Sequence, residues 1–201
     1  MAADSEGKAS GGEAAVRPLD RLPPHNAAEE RGLLGCILQD ASRLLDLCVE
    51  KRIVEESFWV EANRAVYSAM MALYERHQPI DALSVIGRLR ETGQLDAAGG
   101  EEEIFRLVDS VTTTAHAEYF IERVFEAHLM RKVIRAAGDM VGECYDPDIP
   151  AGTVLANAEA AIFDLGQDRT TAERLVFEAN DIALKADLEE AAITRIVEEK
   201  I

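Results

Sequence analysis

The sequence predicts an all-α fold, on three observations. Apolar residues recur at helical spacing through each long segment. No segment of useful length alternates apolar and polar residues as a half-buried strand would. The interruptions fall at prolines, glycines and capping side chains. The 201 residues are 48% hydrophobic and 29% charged, a globular balance that can bury a core. Thirty-eight acidic residues against 21 basic ones give a formal net charge of -17. Such a surface repels phosphates on average, which argues against direct nucleic-acid binding and favours docking to basic proteins. No apolar stretch approaches the ~18 residues of a membrane span, and Met1 to Asp20 lacks the apolar core of a signal peptide. A cytoplasmic protein without membrane contact is expected. Cys36, Cys48 and Cys144 are scattered among apolar neighbours, as core residues are, and form no disulfide framework.

Taken in order, residues 1–20 are rich in Ala, Gly, Glu and Ser and read as a disordered tail. A helical globular domain is expected over 21–112. It opens on Leu22-Pro23-Pro24-His25-Asn26, where two prolines hold the chain extended, His25 can fix the turn through backbone bonds, and Asn26 caps a helix. That helix carries the doublets Leu33, Leu34, Ile37 and Leu38. Asp40 is placed to cap a short second helix bearing Leu44, Leu45 and Cys48. A longer helix is expected over 58–77, with Ala65, Val66, Ala69, Met70 and Leu73 on one side, ended by Pro79. Asp81 caps the next, whose inner face is Val85, Ile86 and Leu89 and whose stop is Gly93. Gly99-Gly100 marks a turn into a helix carrying Ile104, Leu107 and Val108.

Beyond residue 112 the pattern changes. Ala115 to Tyr145, capped by Thr113 or Thr114, has no breaker stronger than glycine. At ~1.5 Å per residue this is a rod of roughly 46 Å, longer than a body of about 100 residues can cover. Part of it must project, and its apolar side (Leu129, Val133, Ala136, Met140, Cys144) needs a partner. Asp146 to Pro150 turns the chain into a return helix over 152–166 with Val154, Leu155, Ala158, Ile162 and Leu165. The expectation is an antiparallel hairpin over 113–167 that self-associates, with Arg131, Ile134, Gly138, Met140 and Gly142 as the interaction residues. Gly138 and Gly142, four apart, would allow close backbone approach within the hairpin or to another subunit. A polar linker over 168–179 leads to a last helix over 180–201, striped by Leu184, Leu188, Ala192 and Ile196.

Catalytic signatures are missing. Gly7-Lys8 is followed by Ala9 and does not make a phosphate loop; Lys51, Lys132, Lys185 and Lys200 follow no strand. His25, His77, His116 and His128 lack metal-ligand spacing, and no C-x-x-C occurs. Glu101-Glu102-Glu103 reads as the acidic first turn of a helix. No cofactor, metal site or catalytic residue is assigned, and an unrelated all-α enzyme is the remaining enzymatic alternative.

The run from Leu22 to Leu38 resembles the opening of the N-terminal domain of DnaB-family replicative helicases, matching at Pro23, Pro24, Asn26, Glu30, Leu34 and Gly35. The series continues through Phe58-Trp59, Arg64 to Leu73, Pro79-Ile80-Asp81, Gly93-Gln94-Leu95, Gly99-Gly100, Ala115 to Tyr119, Arg131 to Ala136 and Ala158 to Phe163. Departures are Ala28 in place of a glutamate, Asn63 in place of a histidine and Ile104 in place of an aromatic. The resemblance implies a non-catalytic domain that pairs through its hairpin, forms the collar above a hexameric motor, and docks primase and, in some lineages, a helicase loader. ATP binding and DNA binding would belong to the motor of the full-length parent, which this chain does not contain. The helix over 180–201 would be the linker helix that packs on a neighbouring motor. The helicase-binding domain of a primase, also a helical module with a hairpin, is the rival reading.

The stripe at Leu184, Leu188, Ala192 and Ile196 has no neighbour in sequence to cover it, and isolated helices of this length are marginal in water. In hydrogen exchange of a monomer, amides of 180–200 are expected to exchange far faster than those of 115–135. Slow exchange there would mean that the helix folds back on its own domain and would remove the linker assignment.

Overall fold

The computed structural model describes residues 21–167; the tail over 1–20, the linker over 168–179 and the helix over 180–201 lie outside the described residues. Seven α-helices and no strand occur among the described residues. The first five are α1 (Ala27–Gln39), α2 (Ala41–Glu50), α3 (Glu61–Glu75), α4 (Ala82–Glu91) and α5 (Glu101–Asp109). They form a body from which α6 (Ala117–Cys144) emerges, and α7, residues 151–167, runs back along it. None of these helices is long and apolar enough to cross a membrane.

α1 is the central element. Leu33, Leu34, Cys36 and Ile37 are all fully buried, and Gly32 and Gly35 are buried with them, so the helix is covered on nearly every side. It packs against α2, α3, α5 and α6, and its two glycines permit that closeness. A methyl on Gly35 would sit 2.5 Å from the Leu107 carbonyl oxygen, and one on Gly32 would sit 2.8 Å from the Phe120 ring. Phe58, Tyr67, Met70, Leu89, Ile104 and Leu107 complete the core. Ile104, a departure from the family pattern, is fully buried. Cys36 and Cys48 are buried and unpaired, and burial pushes the Cys48 thiol up to about 12; Cys144 is exposed.

Most expected boundaries are observed. Asn26 caps α1 by accepting from the Ala28 and Glu29 amides, Asp81 caps α4 through Ser84, and Gly93 follows α4 in the left-handed region. Two details differ. Asp40 precedes α2 but makes no capping bond, because its carboxylate takes the Arg43 Nε at 2.7 Å. The helix expected from residue 58 begins at Glu61. Glu55–Ser57 forms a tight 3-10 turn, with the Ser57 hydroxyl accepting from the Val54 amide at 3.0 Å, and Phe58 continues as extended chain.

Gly35→Ala should destabilise the protein by about 1–3 kcal/mol, the range for overpacking a tight contact. Gly87→Ala, where a methyl meets nothing within 4 Å, should stabilise it by roughly 0.5–1 kcal/mol through helix propensity. Urea midpoints at unchanged slope measure both.

Candidate functional site

The hairpin has a root and a free part, and they are built differently. The root begins with a deficit that the sequence contains. α3 starts after Val60, a residue with no side chain to cap it, so its first amides need an acceptor from elsewhere. Glu30 of α1 supplies one at the entry to the helix, to the N-cap amide and the amide before it. Its carboxylate, 2% exposed, accepts from the Trp59 amide at 2.6 Å, the Val60 amide at 3.2 Å and Asn63 Nδ2 at 2.8 Å. The negative charge also lies where the α3 dipole favours it. Arg64, from the first turn of α3, returns to the Phe58 carbonyl at 2.6 Å.

α6 docks on this same corner. Arg131 donates to the Pro24 carbonyl at 2.9 Å, to the Ser57 carbonyl at 2.5 Å and to the Glu56 carbonyl at 3.3 Å. Its guanidinium carbon stands 5.9 Å from the centre of the Trp59 ring, within cation–π range. One side chain thus ties the rod to the proline lead-in and to the turn before α3. Burial pulls the Arg131 guanidinium below its ordinary value, with Glu30 opposing and the neighbouring cations Arg64 and Arg135 assisting. His25 donates from Nδ1 to the Pro23 carbonyl at 2.8 Å and stacks on Trp59 with ring centres 5.0 Å apart. This is the backbone bond expected of a histidine in the lead-in. His128, one turn before Arg131, donates from Nδ1 to the Glu56 carbonyl at 3.0 Å.

Past this root the rod is uncovered. Ala117, Ile121 and Val124 are the buried residues of α6, and none follows Val124. The apolar residues of the return arm are unevenly covered. Val154, Ala158, Ala161 and Leu165 are half-buried, while Leu155, Ile162 and Phe163 are each more than 60% exposed. Of the apolar residues expected on the return helix, Val154, Ala158 and Leu165 are thus partly covered, and Leu155 and Ile162 are not. Successive helical residues turn by about 100°, so Leu155 and Ile162 flank the face that meets the other arm and Phe163 lies nearly opposite it. Asn157 Nδ2 bonds Glu143 Oε2 at 3.1 Å, joining the arms near the turn.

The expected interaction residues fall into separate groups. Arg131 turns inward and serves the root. Ile134 is 37% exposed, and Met130, Val133 and Val141 are exposed with it. Met140 and Gly138 are half-buried and Gly142 is exposed. A methyl at Gly138 or Gly142 meets nothing within 4 Å, so no close approach inside this hairpin uses either glycine. Leu184, Leu188, Ala192 and Ile196 lie outside the described residues. Among those described, no group of His, Cys, Asp or Glu could hold a metal ion. Sequence reasoning missed the joint role of Glu30, Trp59, His128 and Arg131. No local signal marks it, since the sequence pattern places the start of α3 at residue 58 and the structure at Glu61.

Burial lowers the His128 pKa first, and Arg131 and Lys132 lower it further. The folded value lies below the ordinary, unfolded one, so protonation favours unfolding. The contribution of His128 is intact above its ordinary value near 6.5 and is lost progressively as pH falls from there through the lower folded value. Thermal melts at pH 7.5 and 5.5 should show wild type losing more stability than His128→Gln. Equal losses would mean that the imidazole does not titrate against the root.

Comparison with known proteins agrees with this architecture. The family model described as the DnaB-like helicase N terminal domain matches residues 22–126. "Replicative DNA helicase DnaC" of Bacillus subtilis is 30% identical over 152 residues, which are 76% of this chain and 33% of the relative. "Replicative DNA helicase DnaB" of Synechocystis is 32% identical over 154 residues, 75% of this chain and 17% of the relative. The chain thus spans a third or less of the length of these relatives. The crystal structure of the N-terminal domain of DnaB helicase from Mycobacterium tuberculosis superposes with a TM-score of 0.65 at 30% identity, over 72% of this chain and 99% of that one. A DnaB-like replicative helicase whose structure was described with its interactions with primase shares the fold, with a TM-score of 0.60 at 22% identity, over 71% of this chain and 31% of that one. With the family model covering more than half of its length, the chain belongs to the DnaB-like helicase N-terminal domain family.

Proposed function

We propose that this chain is the non-catalytic N-terminal interaction domain of a replicative DNA helicase. It pairs with a second copy through the hairpin, contributes to the collar of the assembled hexamer, and offers a docking surface to primase and to a helicase loader. The observation that supports pairing is the outward apolar face of the hairpin. Leu155, Ile162 and Phe163 stand exposed on α7, with Met130, Val133, Ile134 and Val141 exposed on α6. Burying side chains of this size is worth roughly 1.5–3 kcal/mol each, which favours a second copy covering them. Primase docking is carried over from the neighbour whose structure was described with its interactions with primase. The net charge of -17 supports a protein partner over direct nucleic-acid contact. On this reading ATP-driven unwinding resides in a part of the helicase that this chain does not match, and the domain works in the cytoplasm without a cofactor.

Gly138→Arg tests the interface, because the first carbon of a side chain at this position meets nothing within 4 Å in the single chain. A buried, unpaired charge costs about 3 kcal/mol or more, so dimers should weaken roughly 100-fold. Sedimentation across a concentration series measures this, with circular dichroism confirming the fold. Unchanged dimer affinity would move the interface off the hairpin.

A further inference from the structure

A cleft of about 330 Å³ lies between the C-terminal end of α3 and the outer face of α4, away from the hairpin and its root. Two arginines line it. Arg76 closes α3, and the chain reverses immediately after it because His77 adopts a left-handed conformation at φ 53°. The helix end is sealed by the His77 amide bonding the Tyr74 carbonyl and the Gln78 amide bonding the Leu73 carbonyl. This reversal brings Arg76 and Gln78 opposite Ser84 and Arg88 of α4.

Arg88 is incompletely satisfied. Its Nε is buried and has no hydrogen-bond partner among the described residues. Its Nη1 makes one long contact, 3.4 Å to Glu91 Oε2, from a carboxylate that is 69% exposed. Buried polar groups in proteins are nearly always paired, and a charged donor most of all. The guanidinium edge formed by Nε and a terminal nitrogen matches the two oxygens of a carboxylate. Gly87 leaves the wall beside it open, since a methyl there would meet nothing within 4 Å. The other nearby acid, Asp81, is committed to the Ser84 amide at 2.8 Å.

We propose that this cleft is a docking site for a single carboxylate side chain on an otherwise uncharged or basic segment of a partner protein. The incoming carboxylate displaces Glu91 from Arg88 Nη1, the released guanidinium turns its covered Nε to the new acceptor, and Arg76 is the second cation. The charge of the chain favours a single carboxylate over phosphate. A field set by -17 repels a ligand in proportion to its charge, and two arginines offset one negative charge better than two. The proposal stands independently of pairing through the hairpin.

The Arg88 Nε–Hε resonance of the whole chain, assigned by its loss in Arg88→Lys, reads occupancy directly. A blocked Gly-Glu-Gly peptide should shift it saturably in the millimolar range, and the Gly-Gln-Gly control should leave it in place. Arg76→Gln should weaken binding at least fivefold. Glu91→Gln should tighten it at least twofold, a gain that misfolding cannot produce. No saturable shift, an equal shift with the glutamine peptide, or no gain in Glu91→Gln would overturn the proposal. Tighter binding of inorganic phosphate than of the glutamate peptide would overturn the assignment to a carboxylate.

Discussion

The Glu30 carboxylate is the constraint on which the rest of the structure depends. It is a nearly inaccessible charge on the central helix, and three donors from the start of α3 converge on it. A buried carboxylate is tolerated only when its oxygens are satisfied, and helix amides at an N-terminus suit that purpose. The position of α3 relative to α1 is therefore set by directional bonds, whereas apolar packing alone would allow sliding. Everything docked on that corner inherits the same precision: the Glu55–Ser57 turn, Trp59, the proline lead-in and the root of α6.

The glycines of α1 work toward the same end by a different physical route. Gly32 and Gly35 bring α1 against Phe120 and the Leu107 backbone at distances that a side chain would forbid. Polar convergence at one end of α1 and close backbone approach along its length fix the helix in both direction and depth. The body then holds a single arrangement, and α6 leaves it at a defined place.

Much of this is legible in the sequence, and the reason differs by element. Asn26, Asp81, Thr113 and Gly93 act through local backbone chemistry, so their roles are readable from a few neighbouring residues. The excess length of the rod is readable from arithmetic. The Glu30 network is not, since its members come from positions 30, 59, 60 and 63 and meet only after folding. Arg131 escapes for the same reason. Its helical register puts it on the rod, and its bonds to residues 24, 56 and 57 are long-range. Which apolar residues of α7 are covered is not legible either, because the pattern does not say which side another helix will meet. The Arg88 cleft leaves no sequence signal, because it arises where the left-handed turn at His77 folds one helix end onto the next.

The docking of α6 has a mechanical consequence. From Arg131 at the root to Cys144 the helix advances by thirteen residues, an arm of roughly 20 Å. Rotation about the root is multiplied along that arm, so that a tilt of ~5° carries the tip about 2 Å sideways. Among the contacts that fix such a tilt are the bonds of one guanidinium and one imidazole to three carbonyl oxygens. The aim of the hairpin, and with it the angle at which a second copy could be met, is therefore governed from the far end of the lever.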